Sequence, residues 1–80
     1  MENERILYLK TGCPWCVEVE RYLERNGIEV RKVIVSGNRE AMDEMTQISG
    51  QSKAPTLNWE GDILADFGVE ELVPFLEGKL

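Results

Sequence analysis

Lys10-Thr11-Gly12-Cys13-Pro14-Trp15-Cys16, entered from the apolar run Ile6-Leu7-Tyr8-Leu9, is the stretch whose reading decides the fold. Arg5–Leu9 reads as a buried strand, and the segment that opens at the cysteine pair has helical periodicity. The only two cysteines of the chain therefore sit where a strand turns into the N-terminus of a helix. At that position unsatisfied backbone N–H groups and the positive end of the helix dipole stabilise a thiolate, the nucleophile of disulfide exchange. Cys13 is expected to be the attacking sulfur. Cys16, one turn further in, is expected to resolve a mixed disulfide by forming an internal one.

Working outward, Pro14 suits a first helical turn, where its missing N–H is no loss. Val17, Val19, Tyr22 and Leu23 form an imperfect apolar face, and Asn26-Gly27 ends the helix with Gly27 at a left-handed stop. Ile28–Val35 reads as a second strand. Ser36-Gly37-Asn38 is a turn whose Asn38 caps a second helix, Arg39 to about Ser49, with Ala41, Met42, Met45 and Ile48 inward and Gly50 as the stop. After the loop Gln51-Ser52-Lys53 and Ala54-Pro55 come two short strands, Thr56–Trp59 and Ile63–Ala65, joined at Glu60-Gly61-Asp62 as a hairpin. A last helix, Val69–Glu77, buries Val69, Leu72, Val73 and Phe75 or Leu76, and Pro74 inside it is expected to kink or shorten it.

The expected class is α/β, in the order β-α-β-α-β-β-α, with a parallel right-handed first unit and a hairpin completing a four-strand mixed sheet. The 80 residues make one domain, 1–80, near the lower limit for a self-sufficient core. A composition 42% hydrophobic and 30% charged excludes a disordered chain. A net charge of −6 leaves no basic stripe for nucleic acid. No apolar stretch reaches membrane-spanning length and no signal peptide precedes the first strand, so a cytoplasmic location and no membrane partner are expected. In a reducing cytoplasm a lone C-x-x-C is more often redox-active or metal-binding than structural. Zinc asks for four ligands, and the chain has no histidine and no third cysteine. A metal site would need carboxylates or a second subunit. So short a disulfide loop also removes little unfolded-state entropy.

The element order with Cys13-Pro14-Trp15-Cys16 between first strand and first helix resembles the glutaredoxin branch of the thioredoxin-like fold, through nearly the whole chain. The motif is similar to that family's C-P-Y-C, with Trp15 in place of tyrosine, and Lys10-Thr11-Gly12-Cys13 is similar to its K-T-x-C. Gly37-Asn38, Glu44-Met45 and Ser49-Gly50-Gln51 fall at spacings like those of bacterial glutaredoxins. The resemblance implies a dithiol oxidoreductase that acts on protein disulfides or glutathione mixed disulfides. It also implies that Lys10 binds the glycine carboxylate of glutathione and that Ala54-Pro55 is the family's cis-proline pair facing the cysteines. A cis-Pro55 would leave the N–H and C=O of Ala54 free to pair with a substrate backbone.

Two departures stand out. The family's T-V-P is Lys53-Ala54-Pro55. Its glutathione-binding G-G-x-D-D is replaced by Ala65-Asp66-Phe67-Gly68-Val69-Glu70-Glu71-Leu72, which looks more like redoxins reduced by thioredoxin reductase. Glutathione and thioredoxin reductase are thus both candidate reductants. A monomer with no bound cofactor and no metal is expected. The competing reading from another class is a dimeric module holding zinc or an iron–sulfur cluster through Cys13, against which Pro14 counts by resemblance.

Among the remaining residues, Lys10 is three positions before Cys13 and flanks it, while Lys53 is either a surface lysine or a second carboxylate ligand. Trp15 lies at an exposed helix start and reads as a flat substrate-contact surface. Trp59 reads as packing, and Glu18 and Glu20 as a solvated helix face. Asp66 either caps the last helix or contacts a ligand, capping being the simpler role.

Overall fold

A computed structural model describes residues 4–79. Seven elements follow in the expected order: β1 Arg5–Leu9, α1 Pro14–Arg25, β2 Arg31–Ile34, α2 Arg39–Ser49, β3 Thr56–Trp59, β4 Asp62–Ala65 and α3 Val69–Glu77. They form a four-stranded sheet ordered β2-β1-β3-β4. Strand β1 runs parallel to β2 and antiparallel to β3, and β3 and β4 make the hairpin.

Alternation along β1 assigns the two layers of helix. Leu7 and Leu9 point to one face, where they pack with Val19 and Leu23 of α1, Leu57 and Trp59 of β3, and Leu72 and Leu76 of α3. Ile6 and Tyr8 point to the other, against Val35 and against Ala41 and Met45 of α2. A strand buried on both faces reads as an unbroken apolar run, which is how Ile6–Leu9 looks in the sequence.

Helix ends are set by local chemistry. Ile28 N–H donates to the Leu23 carbonyl at 2.9 Å and Gly27 N–H to that of Glu24 at 3.2 Å, with Gly27 at φ 66°. This crossed pair of bonds closes α1 as a Schellman motif, and Ile28 packs with the core beside Leu23. Asn38 Oδ1 caps α2 by accepting Ala41 N–H at 3.2 Å. Gly50, left-handed at φ 73°, ends that helix.

Three expectations need correction. Strand β2 is Arg31–Ile34 rather than Ile28–Val35, because Ile28 is used to close α1 and the Val35 carbonyl accepts Asn38 N–H at 3.1 Å, starting the turn. Val17 is 47% exposed, so it is no part of the buried face. One residue is about 100° on a helix, and the inward set is Cys16, Val19 and Leu23 instead. Asp66 does not cap α3. The cap is Gly68, whose N–H donates to Glu71 Oε1 at 2.8 Å. Helix α3 keeps its expected bounds, Val69–Glu77, with Pro74 inside it. Trp59 is packing, as expected, buried to 3% exposure with the Arg5 guanidinium 4.1 Å from its ring centroid.

Burial also sets how stability depends on pH. Burial and the nearby Glu44 carboxylate push the Tyr8 hydroxyl up to about 12, and burial pushes the Cys16 thiol up to about 12. Both are neutral when folded and ionise earlier when unfolded. Their contribution is therefore complete below the unfolded values, 9.0 for the thiol and 10.0 for the hydroxyl, and is lost as pH rises toward 12. The midpoint of urea unfolding of the reduced protein should fall steadily above pH 9, and Tyr8→Phe should flatten the upper part of that fall. At neutral pH, Leu57→Ala should cost about 2–5 kcal/mol by emptying the central core. Gly27→Ala meets no atom within 4 Å, so its cost of about 1 kcal/mol should come from the left-handed backbone alone.

Candidate active site

The junction between β1 and α1 places Cys13 as the helix N-cap, with extended backbone at φ −99° and ψ 111°, and Pro14 as the first helical residue. Its Sγ accepts the Cys16 N–H at 3.2 Å, and its carbonyl accepts Val17 N–H at 3.2 Å. Cys13 is half-buried and Cys16 is buried, both as free thiols. The two sulfurs therefore meet different surroundings within one helical turn. Cys13 Sγ faces an N–H donor at the positive end of a helix dipole. Cys16 is pushed up to about 12, first by burial and then by its hydrogen bond with Cys13, against a smaller opposing effect of the Lys10 backbone. A helix start divides the pair into an accessible sulfur and a shielded neutral thiol.

Across from the pair lies the loop before β3. The Ala54–Pro55 peptide bond is cis, and the Ala54 carbonyl is 3.9 Å from Cys13 Sγ. Among the described residues the Ala54 N–H has no hydrogen-bond partner. Its backbone is thus open beside the sulfur in the way that pairing with an extended peptide requires. The register of β1 against β3, with Tyr8 opposite Thr56, delivers this loop to the end of β1 from which Cys13 emerges.

Residues that the sequence did not single out hold this loop. Gln51 Oε1 accepts Lys53 N–H at 2.7 Å, and Gln51 Nε2 donates to the Lys53 carbonyl at 3.1 Å. Thr56, fully buried, donates its hydroxyl to the same carbonyl at 2.8 Å. On the other side, Thr11 N–H donates to Ser36 Oγ at 2.9 Å, which ties the cysteine loop to the β2–α2 turn. A glutamine two residues before a lysine carries no signature of such a clamp. The Ser36 contact joins residues 25 apart.

Of the expected contact residues, Lys10 is half-buried beside the cysteine turn and Lys53 is exposed next to Ala54. Trp15 projects from the helix start, 57% exposed. It forms one wall of an open groove of ≈ 450 Å³ whose other wall is the β4–α3 connection, including Asp66, Gly68 and Val69. Asp66 is exposed and left-handed at φ 55°, and its N–H donates to the Pro55 carbonyl at 3.0 Å. Asp66 thus belongs to the site's surroundings through its backbone, in place of the helix-capping role. Among the described residues no three of Cys, His, Asp and Glu gather as a metal-binding group. No described helix is long and apolar enough to cross a membrane.

The family model described as Glutaredoxin matches residues 6–64. Over 71 residues the chain is 31% identical to an uncharacterized glutaredoxin-like 8.6 kDa protein in the rubredoxin operon of Clostridium pasteurianum, covering 89% of this chain and 95% of that one. The crystal structure of the thioredoxin-like protein BC3987 is 25% identical, with a TM-score of 0.82, and covers 91% of this chain and 100% of that one. The glutaredoxin of Archaeoglobus fulgidus shares the fold at a TM-score of 0.81 with 18% identity, over 95% of this chain and 88% of its own. With a thiol pair at a helix start, an open backbone beside it and a family match over most of its length, this chain belongs to the glutaredoxin family and has a thioredoxin-like fold.

Proposed function

We propose that the protein is a dithiol oxidoreductase that reduces disulfides through Cys13 and Cys16. The observation that carries this reading is the division between an N-cap sulfur accepting a backbone N–H and a buried neutral thiol one turn away. Cys13 thiolate attacks one sulfur of a substrate disulfide, forming a mixed disulfide and releasing the other sulfur as a thiolate, which takes up a proton. Cys16 then gives up its proton and attacks Cys13 Sγ, breaking the mixed disulfide and releasing the second substrate thiol. Two electrons pass from the dithiol to the substrate, and the protein is left with a Cys13–Cys16 disulfide. Burial keeps Cys16 unreactive until the mixed disulfide has formed, which limits premature oxidation. Ala54 pairs with the substrate backbone, Trp15 offers an aromatic surface, and Lys10 and Lys53 flank the thiolate with positive charge. The protein works as a monomer in a reducing cytoplasm.

The oxidised form is returned to the dithiol by a protein reductase of the thioredoxin-reductase class better than by glutathione. Glutathione brings a carboxylate at each end. Lys10 and Lys53 suit the glycine end. At the γ-glutamyl end the helix N-terminus would be the donor, but the Gly68 N–H of α3 is already held by Glu71 Oε1 at 2.8 Å. A ligand carboxylate must displace that side chain. Each charge-assisted hydrogen bond forgone costs about 1.5–3 kcal/mol, ten- to a hundredfold in affinity.

Alkylation at mildly acidic pH followed by peptide mapping should label Cys13 well before Cys16; the reverse order would reassign the nucleophile. Cys16→Ser should accumulate mixed disulfides with substrate, and Cys13→Ser should form none. With NADPH consumption as the common readout, thioredoxin reductase should re-reduce the oxidised protein at least about tenfold more efficiently than glutathione with glutathione reductase. Efficient turnover with glutathione alone would show that Asp66 and its neighbours make a working substitute anchor.

A further inference from the structure

We infer that the groove beside the dithiol selects protein disulfides flanked by arginine or lysine. The inference rests on the oxidoreductase reading of Cys13 and Cys16 and names the substrate class for that site. The groove runs from Trp15 on α1 to the β4–α3 connection, and carboxylates stand on both walls: Glu18 on the helix, Asp66 and Glu70 opposite. Glu18 follows Trp15 by three residues, so the two share a helix face. None of Glu18, Asp66 and Glu70 has an ion-pair or side-chain hydrogen-bond partner among the described residues. Glu29, Glu40, Asp43 and Glu77 also lack partners among the described residues, so what sets Glu18, Asp66 and Glu70 apart is their place around Trp15. Neither Lys10 nor Lys53 lines the groove.

The occupant follows from charge and shape. Three unpaired carboxylates around an exposed indole form a surface that repels an anionic segment. They attract a cation whose guanidinium or ammonium lies on the Trp15 face. The position is tied to the chemistry by backbone. Ala54 touches Cys13 Sγ, and the next residue, Pro55, accepts the Asp66 N–H at 3.0 Å. A peptide paired with Ala54 therefore runs beside Asp66, and a basic side chain close to its reacting cysteine reaches the groove. Partly exposed charges act mainly on association and are screened by salt, so the preference is a rate effect.

The test uses the pre-reduced protein in single turnover, which leaves the reductant out. Three peptides carry one cysteine as a 2-pyridyl disulfide, flanked by arginine, glutamine or glutamate. Cys13 displaces pyridine-2-thione, whose release gives the rate, and Cys16 then displaces the peptide thiol. The arginine peptide should react fastest and the glutamate peptide slowest, about tenfold apart at low ionic strength and converging as salt rises. Glu18→Gln, Asp66→Asn and Glu70→Gln combined should erase the order, asparagine being chosen because it tolerates the left-handed backbone. Asp43→Asn on α2, across the sheet, should preserve it. Equal rates in the unmodified protein, a faster glutamate peptide, or an order that survives the triple substitution would overturn the inference. Release from none of the peptides would sink the oxidoreductase reading as well, whereas equal release from all three would leave that reading standing.

Discussion

Strand β1 is paired on both edges and covered on both faces, and the position of the dithiol depends on that double burial. Leu7 and Leu9 need α1 and α3 on one side of the sheet, while Ile6 and Tyr8 need α2 on the other. The chain leaving β1 must therefore turn at once into α1, and Cys13 is the residue at the turn. Pairing of β1 with β3 brings the Ala54–Pro55 loop to the same end of the sheet. A thiol at a helix N-terminus and an open backbone beside it are thus products of core packing.

That one helix start gives two thiols different surroundings. Cys16 shares the inward face with Val19 and Leu23, so burial holds it neutral. Cys13 is outside the first turn, where its sulfur receives an N–H and remains half-exposed. Spacing by one helical turn is what allows the two to be unlike and still adjacent. A spacing one residue shorter or longer would put the second thiol at the exposed position of Trp15 or of Val17.

The surroundings are electrically lopsided. Lysines 10 and 53 stand beside the cysteine turn and the cis-proline loop, whereas carboxylates line the groove past Trp15. The cap of α3 strengthens that asymmetry. Glu71 occupies the N–H of Gly68, so the groove faces an approaching ligand with negative side chains more than with backbone donors. In a chain of net charge −6, carboxylates of Glu18, Asp66 and Glu70 are gathered in the groove beside the dithiol.

Most of the fold was legible in the sequence because its signals act over three or four residues. Asn38 and Gly50 bound α2 by caps, Gly27 ends α1 by its left-handed backbone, and the Cys13-Pro14-Trp15-Cys16 spacing is a helical turn in itself. The length of β2 was not legible, since Ile28 is apolar enough for a strand and is recruited instead to close the preceding helix. Val17 and Leu23 look equally suited to a buried face until the phase of α1 against β1 and β3 selects Leu23. Asp66 has the chemistry of a cap, but the chain places Gly68 at the helix start and bonds Asp66 to Pro55. The sequence by itself determined the element order, the caps of α2, the glycine stop of α1 and the placing of two cysteines one turn apart at a helix start. Only the tertiary structure decided that Ala54, 41 residues from Cys13, lies beside its sulfur, and that Trp15 and Asp66 form two walls of one groove. Local backbone preferences extend a few residues along the chain, whereas those contacts exist only because burying β1 on both faces folds distant segments onto one end of the sheet.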